Sequence, residues 1–163
     1  MGPDVRSGTV VVIGVGNRYR GDDAAGLEVV RLIQDAALTG VEVIEVEGDS
    51  TSLLDAWGDA ETVYVVDAVS SGAEPGAQYR FDTAIGPAPG QFHHRGTHAF
   101  SVADVIELAR AIDRLPMRLI VYGIEGNEFG FGNALAPAVA VAVRATADRL
   151  LVELHEGGRD VPR

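Results

Sequence analysis

Three residues of this chain, Asp23, Asp67 and His98, could do chemistry together. Asp22 and Asp23 follow a glycine in RGDD, Asp67 closes TVYVVD, and His98 sits in RGTHAFS. Asp23, Asp67 and His98 would give two carboxylates and one imidazole. That donor set suits a borderline divalent ion and leaves coordination positions open for water or substrate. The chain has no cysteine, so thiolate zinc sites, disulfides and cysteine nucleophiles are excluded. Any metal must be held by carboxylate and imidazole, and the histidines are His93, His94, His98 and His155.

Each of these residues also has a plainer role open to it. Aspartate caps helices and favours their N-terminal dipole, so Asp22 is assigned to capping and Asp23 is left to face a cleft. Asp67 could serve as a turn residue. His98 has His93 and His94 as rivals in the same loop, and loop histidines are commonly just solvated. His155 falls at the end of a helix, where the dipole explains it.

Two other chemistries receive weaker support. Gly14-Val15-Gly16-Asn17 resembles the start of a dinucleotide fingerprint, with Glu45 and Glu47 placed as a ribose-binding acid would be. The third glycine of that fingerprint is absent, because Tyr19 stands there. Ser70 and Ser71 lack the context of a nucleophile elbow, and no Ser-His-Asp arrangement is evident.

Alternating strands and helices would position these residues. Thr9–Val15 is a continuous β-branched run, the pattern of a strand buried on both faces. A helix is predicted from Asp23 to about Ala37, then a strand over Val41–Val46, a short helix over Ser52–Trp57 and a third strand over Thr62–Asp67. Gln78–Asp82 reads as an edge strand. Ser101 opens a helix to about Asp113, and Asp104 three residues later makes a capping-box pattern. Leu119–Gly123 is a further strand. A loop rich in glycine, Gly123–Gly132, then leads to a helix with Pro137 in its first turn, predicted to reach Leu154 with a frayed polar tail from Glu156. That loop is read as an adaptable element that helps dock a substrate. Strands alternating with helices imply an α/β sandwich with a largely parallel sheet, in which ligands bind outside the carboxyl ends of the strands.

The bulk composition narrows the function. With 163 residues, 47% hydrophobic and 23% charged, the chain is expected to form one globular domain over residues 1–163. A net charge of -11 argues against nucleic acid or an anionic membrane as partner. No signal-peptide core, myristoylation pattern or membrane-length apolar run is seen, so a cytoplasmic monomer is expected.

Five ordered segments carry a more specific signal. GVGNRYRGDDAAG, VEGDSTSLLDAW, VVDAV, GTHAFSVADVIELA and YGIEGNEFGFGNALAPAV together resemble the hydrogenase maturation endopeptidases over about residues 9 to 150. The resemblance implies a three-layer α/β/α sandwich around a mixed, largely parallel five-stranded sheet. It implies metal ligands at Asp23, Asp67 and His98, which also carry the catalysis. It implies removal of the C-terminal peptide from a nickel-loaded hydrogenase large-subunit precursor, with nickel carried by that substrate and zinc or another divalent ion able to replace it in the isolated protein. Some members have Glu at the position of Asp23, and many have Gly at the position of Ala24, a more permissive backbone than here. A nickel-sensing or precursor-binding module without catalysis, and a Rossmann-like nucleotide-binding protein, are the alternatives.

Overall fold

The computed structural model describes residues 6–47, 50–92 and 101–159. Five strands form one sheet: β1 (Arg6–Val15), β2 (Val41–Val46), β3 (Ala60–Val69), β4 (Gln78–Asp82) and β5 (Arg118–Glu125). Their spatial order is β2-β1-β3-β5-β4, with every neighbouring pair parallel except β4 against β5. The helices are α1 (Ala25–Asp35), α2 (Ser50–Trp57), α3 (Val102–Ala111) and α4 (Pro137–Arg159).

The apolar runs explain the layers. In a strand, successive side chains point to opposite faces, so a strand covered on both sides must be apolar throughout. Val11, Ile13, Val63, Val65, Leu119 and Val121 join one core with α2 and α3 residues such as Leu53, Trp57 and Ile106. Val12, Tyr64, Val66, Ile120 and Tyr122 join the other, with Val29, Val30 and Ile33 of α1 and Val139, Val143 and Leu150 of α4. The result is the three-layer α/β/α arrangement expected, with the mixed five-stranded sheet in the middle.

Several boundaries differ from the sequence reading. The segment expected to begin a helix at Asp23 is first a 3-10 turn, Gly21–Ala24, and α1 starts only at Ala25. β3 runs past Asp67 to Val69, because β5 continues to pair with it through Ala68↔Ile124 and Val69↔Glu125. β5 likewise continues past Gly123 to Glu125. α4 continues past Leu154 to Arg159, there being no proline to stop it before Pro162. The capping box at α3 forms as expected: Ser101 Oγ accepts from the Asp104 amide, and the Asp104 carboxylate accepts from the Ser101 amide. Among the described residues no helix is long and apolar enough to cross a membrane.

Candidate active site

From β1 the chain goes to β2 on one side and then crosses back to β3 on the other side of β1. The carboxyl ends of β1 and β3 are therefore the switch point of the sheet, where a crevice opens. Asp67 lies there. It is the register partner of Val15, the last residue of β1, so the strand beside it stops while β5 carries β3 onward. The 16–24 turn folds back over this gap. Gly16 has φ 152°, and a Cβ at that position would lie 2.0 Å from the Asp23 carbonyl oxygen. Only glycine lets the turn close so tightly. The Asn17 amide donates to the Asp23 carboxylate at 3.1 Å, and the Asp23 amide donates to the Arg20 carbonyl at 3.1 Å. The Gly16 contact also removes the room a pyrophosphate would need, which counts against a dinucleotide site. Glu45, the candidate ribose acid, instead pairs with Arg18.

Asp67 and Asp23 come close enough to interact. Burial pushes the Asp67 carboxyl well above the usual carboxylate range, the charge of Asp23 adds to this, and a bond from the Ala68 backbone opposes it. Asp67 keeps some accessible surface despite its dense protein surroundings. Like-charged carboxylates in a desolvated crevice are poised for a cation or a shared proton. Among the described residues no group of three metal-ligating side chains converges. His98, the third expected member, and its rivals His93 and His94 lie outside the described residues. His155 is exposed near the end of α4.

Asp22 does something the sequence reading missed. It was assigned to capping, yet neither the 3-10 turn nor α1 has a side-chain cap. Asp22 is fully buried and faces the loop after β5 instead. Its Oδ2 accepts from the amides of Asn127 and Glu128, each at 2.8 Å, and its Oδ1 accepts from the Ala136 amide at 2.8 Å. Its own amide donates to the Glu128 carbonyl at 2.7 Å. One loop glycine serves this contact: a Cβ on Gly126 would lie 2.8 Å from the Asp22 Cβ. The expected adaptable docking loop is thus bound to the turn that carries Asp23.

A second buried carboxylate, Glu125, closes the end of β5. It accepts from the Ser71 amide at 2.7 Å, the Ser71 hydroxyl at 2.6 Å, the Gly72 amide at 3.2 Å and the Tyr79 hydroxyl at 3.0 Å. Ser71 is therefore a clamp residue. The available signal was an acid directly following the buried run Leu119–Ile124, where only a fully bonded carboxylate is tolerated.

The five-stranded sheet between two helical layers, with paired carboxylates at its switch point, defines a doubly wound α/β protein whose ligands bind at the carboxyl edge. The model of the HycI hydrogenase maturation protease family matches residues 27–153. The chain is 27% identical over 164 aligned residues to the hydrogenase expression/formation protein HupD of Rhodobacter capsulatus, covering 99% of this chain and 78% of that one. It is 24% identical to the hydrogenase 2 maturation protease of Escherichia coli, covering 94% and 96%. The solved hydrogenase maturating endopeptidase HybD of Escherichia coli shares the fold at TM-score 0.77 and 22% identity, covering 92% of this chain and 94% of that one. This chain belongs to the hydrogenase maturation protease family, and it is a peptidase.

Proposed function

We propose that this peptidase removes the C-terminal peptide of a hydrogenase large-subunit precursor in the cytoplasm, and that nickel already seated in the precursor triggers the cut. The observation that carries this reading is the Asp23–Asp67 pair at the switch point, with Asp67 held far from its ordinary ionisation by burial and by Asp23. A cation brought into the crevice would relieve that repulsion. Carboxylate oxygens, with His98 as third ligand, form a donor set acceptable to nickel, zinc and similar ions. An ion that arrives with the precursor would be held by Asp23, Asp67 and His98 and would bring the adjoining backbone into the crevice.

Bound there, the ion would supply Lewis acidity at the scissile carbonyl or at a water. The chain's own residues supply the rest. The Asn17 amide holds the Asp23 carboxylate, while β3 and β5 hold Asp67. A carboxylate oxygen not engaged by the ion could act as the base that takes the proton from water. The catalytic residues are then Asp23, Asp67 and His98.

The test is incubation with nickel-loaded precursor, read by mass spectrometry for loss of a C-terminal peptide. Asp23→Ala, Asp67→Ala and His98→Ala are expected to abolish the loss, while His93→Ala and His94→Ala retain most of it. Equal loss of cleavage in all three histidine variants, with the fold intact, would remove the support for His98. Binding of the precursor without any cleavage by the wild-type protein would favour a sensing module.

A further inference from the structure

The turn and loop that Asp22 joins carry two large aromatic side chains into solvent. Tyr19 is 69% exposed and Phe131 is 73% exposed. They belong to one surface: the Gly132 amide donates to the Tyr19 carbonyl at 2.9 Å, and the Arg20 guanidinium lies 5.3 Å from the Phe131 ring centroid. The backbone beneath is fixed. The Tyr19 amide donates to Asn17 Oδ1 at 2.9 Å, and the Arg20 amide donates to the Asn17 carbonyl at 3.2 Å. Single exposed apolar residues need no explanation, but aromatics and an arginine held together on a rigid base are the usual composition of a binding hot spot.

Charge indicates what would cover this surface. The chain carries a net charge of -11, and the neighbouring crevice is lined by carboxylates. Arg20 is a cation at the rim of that crevice. Among the described residues it forms no ion pair, and its buried Nε has no hydrogen-bond partner. A buried donor of this kind wants an acceptor. A complementary occupant would lay an apolar side chain across the two rings and bring a carboxylate to the guanidinium.

We propose that Tyr19, Arg20 and Phe131 form the docking surface for an apolar segment of the precursor that carries an acidic residue. This rests on reading the adjacent Asp23–Asp67 crevice as the place of cleavage. The surface selects the precursor and orients its tail, without touching the reacting atoms.

Tyr19 and Phe131 lie at the surface, and Arg20 is half-buried, so thermal unfolding of each variant first establishes that the fold is kept. The experiment measures steady-state processing and direct binding of nickel-loaded large-subunit precursor by the full chain, with Tyr19→Ala/Phe131→Ala, Arg20→Gln and Arg20→Glu. The double aromatic variant is expected to raise KM at least about tenfold with kcat changed less than about threefold, the scale of a lost hot spot. Arg20→Glu should weaken binding more than Arg20→Gln. Added salt should raise KM for the wild type but hardly for Arg20→Gln. Unchanged KM in all three variants, while wild-type cleavage proceeds, would overturn the docking surface and leave the cleavage reading standing. Weaker binding in the variants when even the wild type cannot cut would support the surface and sink the cleavage reading. Wild-type dimerisation through these residues, lost in the double variant, would overturn the proposal in favour of a second copy of the chain as occupant.

Discussion

Two partly enclosed carboxylates, Asp67 in the sheet and Glu153 on a helix packed against it, have been driven in opposite directions. Glu153 of α4 reaches back over the sheet, where Arg80 and Arg118 form ion pairs with it and the Tyr122 hydroxyl donates to it. Burial alone would raise its pKa, but the bonds from Arg80 and Tyr122 outweigh it and the net shift is downward. Burial pushes the Tyr122 hydroxyl up to about 12, its bond to Glu153 and the charge of Glu153 add to this, and Arg80 opposes it. Asp67, at the carboxyl edge, is raised by burial, and its charged neighbour Asp23 raises it further. Among the described residues, Glu153 is met by the cations Arg80 and Arg118, whereas the charge that acts on Asp67 is the like charge of Asp23. Disfavoured ionisation in a crevice, with a like charge beside it, is a feature that clusters at functional sites.

The largest expected effect lies at the carboxyl edge. Asp67→Asn keeps the shape and removes the charge. Processing of nickel-loaded precursor should fall at least about a hundredfold, as when one electrostatic stabiliser is removed from a site. The metal-free variant should nevertheless melt at higher temperature than the wild type at neutral pH. The sign follows from linkage. A carboxyl whose folded pKa is raised costs stability once pH exceeds its unfolded value of 3.8, so the gain should fade as pH falls back towards that value. Thermal unfolding across that window checks it, and a lower melting temperature for Asp67→Asn at neutral pH would break the contrast with Glu153.

Asp22→Ala probes the neighbouring carboxylate that is fully bonded. Loss of a buried acceptor for three amides should destabilise the protein by about 3 kcal/mol or more. Denaturant titration measures this, and hydrogen exchange should localise the loosened amides to Asn127, Glu128 and Ala136. Asp22→Asn should fall between, since an amide can serve Asn127 and Glu128 but opposes the Ala136 N–H with another donor.

Glu153→Gln should cost about 2 kcal/mol at neutral pH, because it weakens hydrogen bonds to a charged group. Glu153 is lowered from 4.5, so its contribution is present above that value and is lost as pH falls through the folded pKa. Wild type and Glu153→Gln should therefore converge in acid, whereas Asp67→Asn starts above the wild type and converges from the other side. The smallest effect is expected at Glu45. Its pair with Arg18 is half exposed, and Glu45→Gln should change stability by less than about 0.5 kcal/mol.

The contrast also shows which features could be read from the sequence. Asp67 stood out locally as a charge after an apolar run, but that signal alone fitted a turn residue equally well, and β3 in fact continues past it to Val69. The parallel sheet was legible because β1, β3 and β5 are apolar on both faces. Asp22 was not legible: its amide partners Asn127 and Ala136 lie 105 and 114 residues away, and an aspartate before a helix already has a local explanation. Glu125 was hidden for a related reason. The glycines on either side of it suggested that the loop began at Gly123, whereas pairing with β3 carries β5 on to Glu125. The glycines of the loop suggested adaptability, and Gly126 instead permits close approach to Asp22.

The central claim is that the Asp23–Asp67 crevice waits for a metal that the substrate brings. It is tested most directly by one purified, metal-free enzyme acting on two preparations of the same large-subunit precursor, one nickel-loaded and one nickel-free, with no metal added. Cleavage of the loaded precursor alone, lost in Asp23→Ala and Asp67→Ala variants that still fold, is the predicted result. Equal cleavage of both preparations would contradict it.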